Sequence, residues 1–117
     1  MTRRPETYIY DALQAANAIE AFVVGQGYAD YQESALLRSA VERQFEIIGE
    51  ALNRLRQLDV ELFARVRGGR QAIGLRNILI HGYASVDDAI VWATLEQDLP
   101  LMQVDLETLI ASNPSDQ

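Results

Sequence analysis

The segment Gly74-Leu75-Arg76-Asn77-Ile78-Leu79-Ile80-His81-Gly82-Tyr83 carries the only histidine of the chain, with an arginine five residues before it and a tyrosine two residues after it. An imidazole moves protons near neutral pH. A guanidinium is a permanent cation whose donors fit phosphate oxygens. Together they suit acid–base chemistry on a phosphodiester, which needs a group to move a proton and a cation for the pentacoordinate phosphate. RNA supplies its own nucleophile, the 2′-hydroxyl, so that reaction requires no metal-activated water. With one histidine, no lysine and no cysteine, the chain offers little else that could act as acid, base or nucleophile.

Helix geometry constrains how these groups meet. Arg76 and His81 lie roughly 140° apart around a straight helix, so they cannot both face one small ligand unless the helix end unwinds or a second chain contributes. Two copies meeting here would supply two histidines and two arginines, with Leu75, Ile78 or Leu79 aligning the paired helices. Asn77 and His81 are i, i+4 neighbours, and a hydrogen bond between them would orient the imidazole. Gly82 suits a left-handed cap after His81. On the residues alone, other roles stay open: Arg76 could pair with Glu46 or Glu50 in a structural ion pair, and Tyr83 could belong to a core.

The remaining pattern is helical throughout. Ile9, Leu13, Ala16, Ile19 and Val23 recur at three- and four-residue steps, which predicts a first helix over 5–24. Leu37, Val41, Phe45, Ile48, Leu52 and Leu55 form the clearest stripe, in a long helix from about Tyr31 to Gln57, with Glu42, Arg43, Glu46, Glu50 and Arg54 opposite. Asp59 caps a short helix running to Val66, Gly68-Gly69 closes it, and the motif helix spans about 70–81. Ser85 is the candidate cap of the next helix, with Asp88 in the capping-box position and Val86, Ile90, Trp92 and Ala93 along it. Pro100 breaks that helix, and a last one runs to Ala111 before residues 112–117 fray. The expectation is one all-α domain over 1–117, an up-and-down bundle of four to five main helices plus a short extra one.

Composition narrows the function classes. The 117 residues are 49% hydrophobic and 23% charged, ordinary for a soluble globular chain. No apolar run is long enough to span a membrane, and Met-Thr-Arg-Arg-Pro leads into no signal-peptide segment. The absence of cysteine removes disulfides and thiolate metal sites and fits a reducing compartment, so a cytoplasmic location is expected. A net charge of −7 argues against indiscriminate nucleic-acid binding. Yet every positive residue is arginine, and Arg54, Arg56, Arg65, Arg67, Arg70 and Arg76 crowd one segment against only Asp59 and Glu61. Such a segment can hold a phosphate backbone locally.

The run from Arg76 to Tyr83 resembles the Arg-Asn-x-x-x-His-x-Tyr signature of the HEPN superfamily, in its HepT branch. The stretch Val41 to Ala51 is similar to that branch's long helix, as is Val91-Trp92 followed by Asp98-Leu99-Pro100. The likeness runs in order from about position 40 to 101. It implies an HEPN-like helical homodimer, or a higher oligomer, acting as a metal-independent endoribonuclease without cofactors. The protein would be the toxin of a type VII-like toxin–antitoxin pair, with an MntA-like nucleotidyltransferase antitoxin as partner. By the same resemblance Arg76 and His81 are the catalytic pair and Asn77 their support. Arg43, Glu46 and Glu50 are supporting candidates, and Tyr83 is the phenol that the antitoxin adenylylates. The alternative is a non-catalytic helical binding subunit of a minimal nucleotidyltransferase; a purely structural helical dimer is the third reading.

Overall fold

The structure, a computed structural model, describes residues 3–82 and 86–112. In chain order it forms α1 (Pro5–Val23), α2 (Tyr28–Glu33), α3 (Ala35–Leu58), α4 (Val60–Phe63), α5 (Gly69–His81), α6 (Asp88–Gln97) and α7 (Leu99–Ala111), with no strand among the described residues. This is the expected all-α bundle, with two short helices where the sequence pattern suggests one. None of the helices is long and apolar enough to cross a membrane, among the described residues.

The long helix α3 is the centre of the bundle, packed by α1 on one flank and α5 on the other. Its stripe of Val41, Phe45, Ile48, Leu52 and Leu55 is fully buried, each side chain contributing roughly 1.5–3 kcal/mol relative to exposure. The helix starts at Ala35, later than the expected Tyr31. Ser34 takes an extended conformation and its Oγ accepts a hydrogen bond from Leu37 N at 3.0 Å, so the chain breaks there. Tyr31, the expected start, instead lies within α2, buried with its ring 5.4 Å from that of Trp92. Arg38 then reaches back from α3 and donates to the carbonyls of Tyr31 and Gln32, satisfying groups that the end of α2 leaves open.

Asp59 caps the next helix as its position suggests, Oδ1 accepting from Leu62 N at 3.0 Å, but regular helix ends at Phe63 rather than Val66. Turns then lead to Gly68, whose φ of 81° is a left-handed conformation that favours glycine at the entry to α5. The cap of α6 is Asp87, with Oδ1 accepting from Ala89 N at 2.9 Å; Ser85, the expected cap, lies outside the described residues. Trp92 contacts the rings of both Tyr28 and Tyr31 and turns α6 so that Val91, Trp92 and Leu95 are buried. Ile90 is therefore exposed. Helix α6 ends at Gln97, and Pro100 sits in the first turn of α7, where its missing N–H costs no internal hydrogen bond. Ser112 closes α7, and the expected fraying falls mainly on 113–117, outside the described residues.

Candidate active site on α5

The site begins with a close approach of two helices. At Gly49 of α3 a methyl group would collide with the β-carbon of Arg76 and lie 2.8 Å from the carbonyl oxygen of Ala72. Only a residue without a side chain lets α5 approach this near. Glycine inside a helix costs about 1 kcal/mol relative to alanine, so its presence in the strongest helix of the chain was the sequence signal for this contact. The pattern reading gave Gly49 no role.

The approach places Arg76 over Glu50. Arg76 Nη2 donates to Glu50 Oε1 at 2.7 Å, and Nη1 donates to Asn77 Oδ1 at 2.9 Å. The second carboxylate oxygen of Glu50 accepts from Arg54 Nε at 3.1 Å. Glu50 thus joins two guanidinium groups, and Arg76 is held at both of its terminal nitrogens. Its side chain is 24% exposed, enough for one face to meet a ligand. Of the two acidic partners open in the sequence, Glu50 takes the arginine; Glu46, a turn earlier, pairs with Arg43 at 3.2 Å.

His81 is the last residue of α5 and is exposed. The helix stays regular to that point, so the imidazole is not swung round towards Arg76. Among the described residues no hydrogen bond or ion pair joins His81 to Arg76 or Asn77; the amide of Asn77 is turned to the arginine instead. Gly82 follows with φ −74° and ψ 107°, an extended conformation open to any residue, not the expected left-handed cap. Tyr83, the candidate modification site, lies outside the described residues.

The face of α5 that bears His81 also bears Gly74, Asn77 and Ile78, at helical steps of three and four. All are exposed, Ile78 at 48%, and nothing lies within 4 Å of where a Gly74 β-carbon would be. Leu75 is different from the sequence expectation: it is buried in the chain's own core and is not available to a second copy, while Leu79 is half-buried against that core. On the other side of Glu50, a cavity of about 410 Å³ opens between α1 and α3, lined among others by Tyr8, Asp11, Arg43, Glu46 and Arg54. No group of three or more metal-ligating side chains occurs among the described residues.

A family model described as Ribonuclease HepT-like matches residues 12–109, a span that contains every one of these contacts on α3 and α5. The chain belongs to the HepT-like ribonuclease family. It is similar to the "Putative RNase MJ1380" of Methanocaldococcus jannaschii, with 33% identity over 90% of this chain and 95% of that one. It is also similar to the "Probable ribonuclease HepT" of Thermococcus cleftensis, with 30% identity over 93% of this chain and 98% of that one. No solved structure is a significant match. The helical bundle is the HEPN-like architecture of the family, and the Arg-Asn-x-x-x-His run falls on α5.

Proposed function

We propose that this HepT-like chain is a metal-independent endoribonuclease that cleaves RNA through attack of the 2′-hydroxyl on the adjacent phosphate, with Arg76 and His81 as the catalytic pair. The observation that carries the reading is the preorganised Arg76, fixed by Glu50 and Asn77 one turn and a half before an exposed His81 on the same helix. Arg76 neutralises charge on the pentacoordinate phosphorus. One imidazole takes the 2′-hydroxyl proton as the oxygen bonds to phosphorus. A second, protonated imidazole gives its proton to the 5′-oxygen as the P–O bond breaks. The products are a 2′,3′-cyclic phosphate and a 5′-hydroxyl.

Two imidazoles require two chains, because each has one histidine. The exposed face of Gly74, Asn77, Ile78 and His81 is the surface on which two copies of α5 would meet, making the active unit a homodimer. The family resemblance adds the biological setting: a cytoplasmic toxin whose nucleotidyltransferase antitoxin silences it by adenylylating Tyr83. A phosphodiester added near the site would bring negative charge towards Arg76 and repel incoming RNA.

One observation favours a second reading, a non-catalytic binding subunit of a nucleotidyltransferase. Arg76 already has a carboxylate partner, and His81 stands apart from it. Cleavage of RNA by purified, unmodified protein, beside His81→Ala and Arg76→Ala variants and with EDTA present, decides between the two. The nuclease reading expects cyclic-phosphate ends in EDTA and their loss in both variants. Equal cleavage by His81→Ala, or products with 5′-phosphates, would remove it.

A further inference from the structure

The six arginines between positions 54 and 76 look equivalent in the sequence, and the fold sorts them into two groups. Arg54 and Arg76 are held by Glu50, and Arg67 is clamped by Asp105. Among the described residues, Arg56, Arg65 and Arg70 have no carboxylate partner. Two of these fall together: a cavity of about 380 Å³ opens where the end of α3, α4 and the start of α5 meet, with Arg56 and Arg70 in its lining.

Arg56 is not a loose surface side chain. Its Nη2 donates to Asn53 Oδ1 at 2.7 Å, and its guanidinium lies 5.7 Å from the centre of the Phe63 ring. Both partners are neutral, so the side chain is oriented while its charge is left uncompensated. Nearby acids do not cancel the patch. Asp59 accepts from the backbone of Leu62, and Asp98 packs behind Gly68, half-buried. Between Arg54 and Arg76, Glu61 is the one exposed carboxylate.

We propose that Arg56 and Arg70 form a second phosphodiester-binding site, which grips the RNA strand at a distance from the bond that is cut. The inference rests on the reading of RNA as substrate and deepens it. From Gly69 to His81 the axis of α5 rises about 18 Å at 1.5 Å per residue, about five stacked nucleotides at 3.4 Å each. A strand engaged at both ends must therefore be longer than the few nucleotides around the scissile phosphate. An acidic protein such as a partner subunit could also be drawn to arginines. The RNA strand is favoured because Arg70 stands at the start of the helix that carries the candidate catalytic residues, with the oriented Arg56 beside it, at a separation a flexible polyanion can span.

The test is binding, not cleavage, so that the two proposals fail separately. Affinity of full-length His81→Ala protein for a 20-nucleotide single-stranded RNA and for a trinucleotide is measured across salt concentrations. It is then repeated with Arg56→Gln and Arg70→Ala added. Each phosphate contact contributes about 0.7 to the slope of log affinity against log salt on a single strand. Loss of two contacts should lower the slope by about 1.4 for the long RNA and leave trinucleotide binding unchanged. Arg70→Lys should keep the slope, and Arg70→Ala alone, at an exposed residue without partners, should lower it by about 0.7 in a protein with an unchanged melting temperature. An unchanged slope for the long RNA overturns the inference. So does equal weakening of the trinucleotide, or lost binding of a nucleotidyltransferase partner with RNA binding intact. A lowered slope, when the wild-type protein cuts no RNA, would uphold this site and remove the nuclease reading.

Discussion

Gly49 of α3 and Arg76 of α5 approach so closely that a methyl group on the glycine would collide with the arginine's β-carbon. The position of the candidate catalytic cation is therefore set by the backbone of another helix, with Glu50 next to the glycine completing the hold.

Gly49→Ala is expected to destabilise the protein although alanine is the better helix former. Propensity favours the substitution by about 0.5–1 kcal/mol, while forcing a methyl into a packed interface costs about 1–3 kcal/mol. The obstacle is a β-carbon and a backbone carbonyl, neither of which can swing aside, so the steric cost wins. Gly74→Ala is the control on α5, because its β-carbon meets nothing within 4 Å. Urea denaturation should show a lower midpoint for Gly49→Ala than for wild type. At protein concentrations where the chain is monomeric, Gly74→Ala should match or exceed wild type. Equal midpoints for Gly49→Ala and wild type would contradict the close approach.

Glu50→Ala should separate activity from stability. The pair with Arg76 is only partly buried, with side chains 24% and 42% exposed, so its contribution to folding is about 1 kcal/mol or less. Catalysis is more sensitive, since a misplacement of about 1 Å can cost about 100-fold. Glu50→Ala is expected to reduce kcat/KM on RNA by roughly 10- to 100-fold with little change in melting temperature. Arg54→Ala, which leaves the Arg76 contact in place, should have a much smaller effect. A similar loss in both variants would mean that Glu50 matters through the local charge rather than through Arg76.

Asp105 gives the fold a pH-dependent clasp. Arg67 donates to it from Nε, Nη2 and the backbone nitrogen, each at 2.9 Å, tying the turn before α5 to α7. The hydrogen bonds from Arg67 hold the Asp105 carboxyl below its ordinary value. A carboxyl depressed in the folded state stabilises it at pH above the unfolded value of about 3.9, and that increment is lost as pH falls through the lower folded value. Asp105→Asn should therefore be less stable than wild type at pH 7, and the gap should close as pH falls below about 4. Denaturation midpoints at pH 7, 5 and 3 check this; a constant gap would show that shape, not charge, makes the contact.

What the sequence disclosed depended on how strongly one face of each element is specified. The α3 stripe from Val41 to Leu55 was legible because a long amphipathic helix repeats its signal over many turns. The break at Ser34 was not, because it rests on a side-chain cap and on Arg38 reaching back to α2, which no periodicity discloses. In α6 the run from Ala89 to Ala93 is apolar throughout, so no period distinguishes Ile90 from Trp92; the rings of Tyr28 and Tyr31 make the choice. At the site, the Arg76, Asn77 and His81 motif could be read directly. The choice of Glu50 over Glu46 could not, since it depends on how far α5 slides along α3, and Gly49 fixes that. Likewise the backbone at Gly82 follows from where the chain goes next, which residue type alone does not dictate.

The last prediction concerns shared sites. On one α5, Arg76 turns towards α3 while His81 stands exposed at the helix end beside Ile78. If a second copy packs on the Gly74, Asn77, Ile78 and His81 face, the site at the interface can take one histidine from each chain beside Arg76. Ile78→Arg should then abolish the dimer without unfolding it, since the residue is 48% exposed in the single chain and makes no core contact worth losing. Sedimentation should report a monomer, circular dichroism an unchanged helix content, and RNA cleavage a loss of at least about 10-fold, in line with the removal of a positioned acid–base group. Mixing inactive Arg76→Ala and inactive His81→Ala chains tests the geometry more sharply. Because the proposed reaction uses one imidazole as base and a second as acid, a mixed dimer, which keeps a single His81, should stay inactive. Activity in the mixture, with mixed dimers demonstrated by differential tags, would show that one imidazole serves each site and that Arg76 and His81 act across the interface.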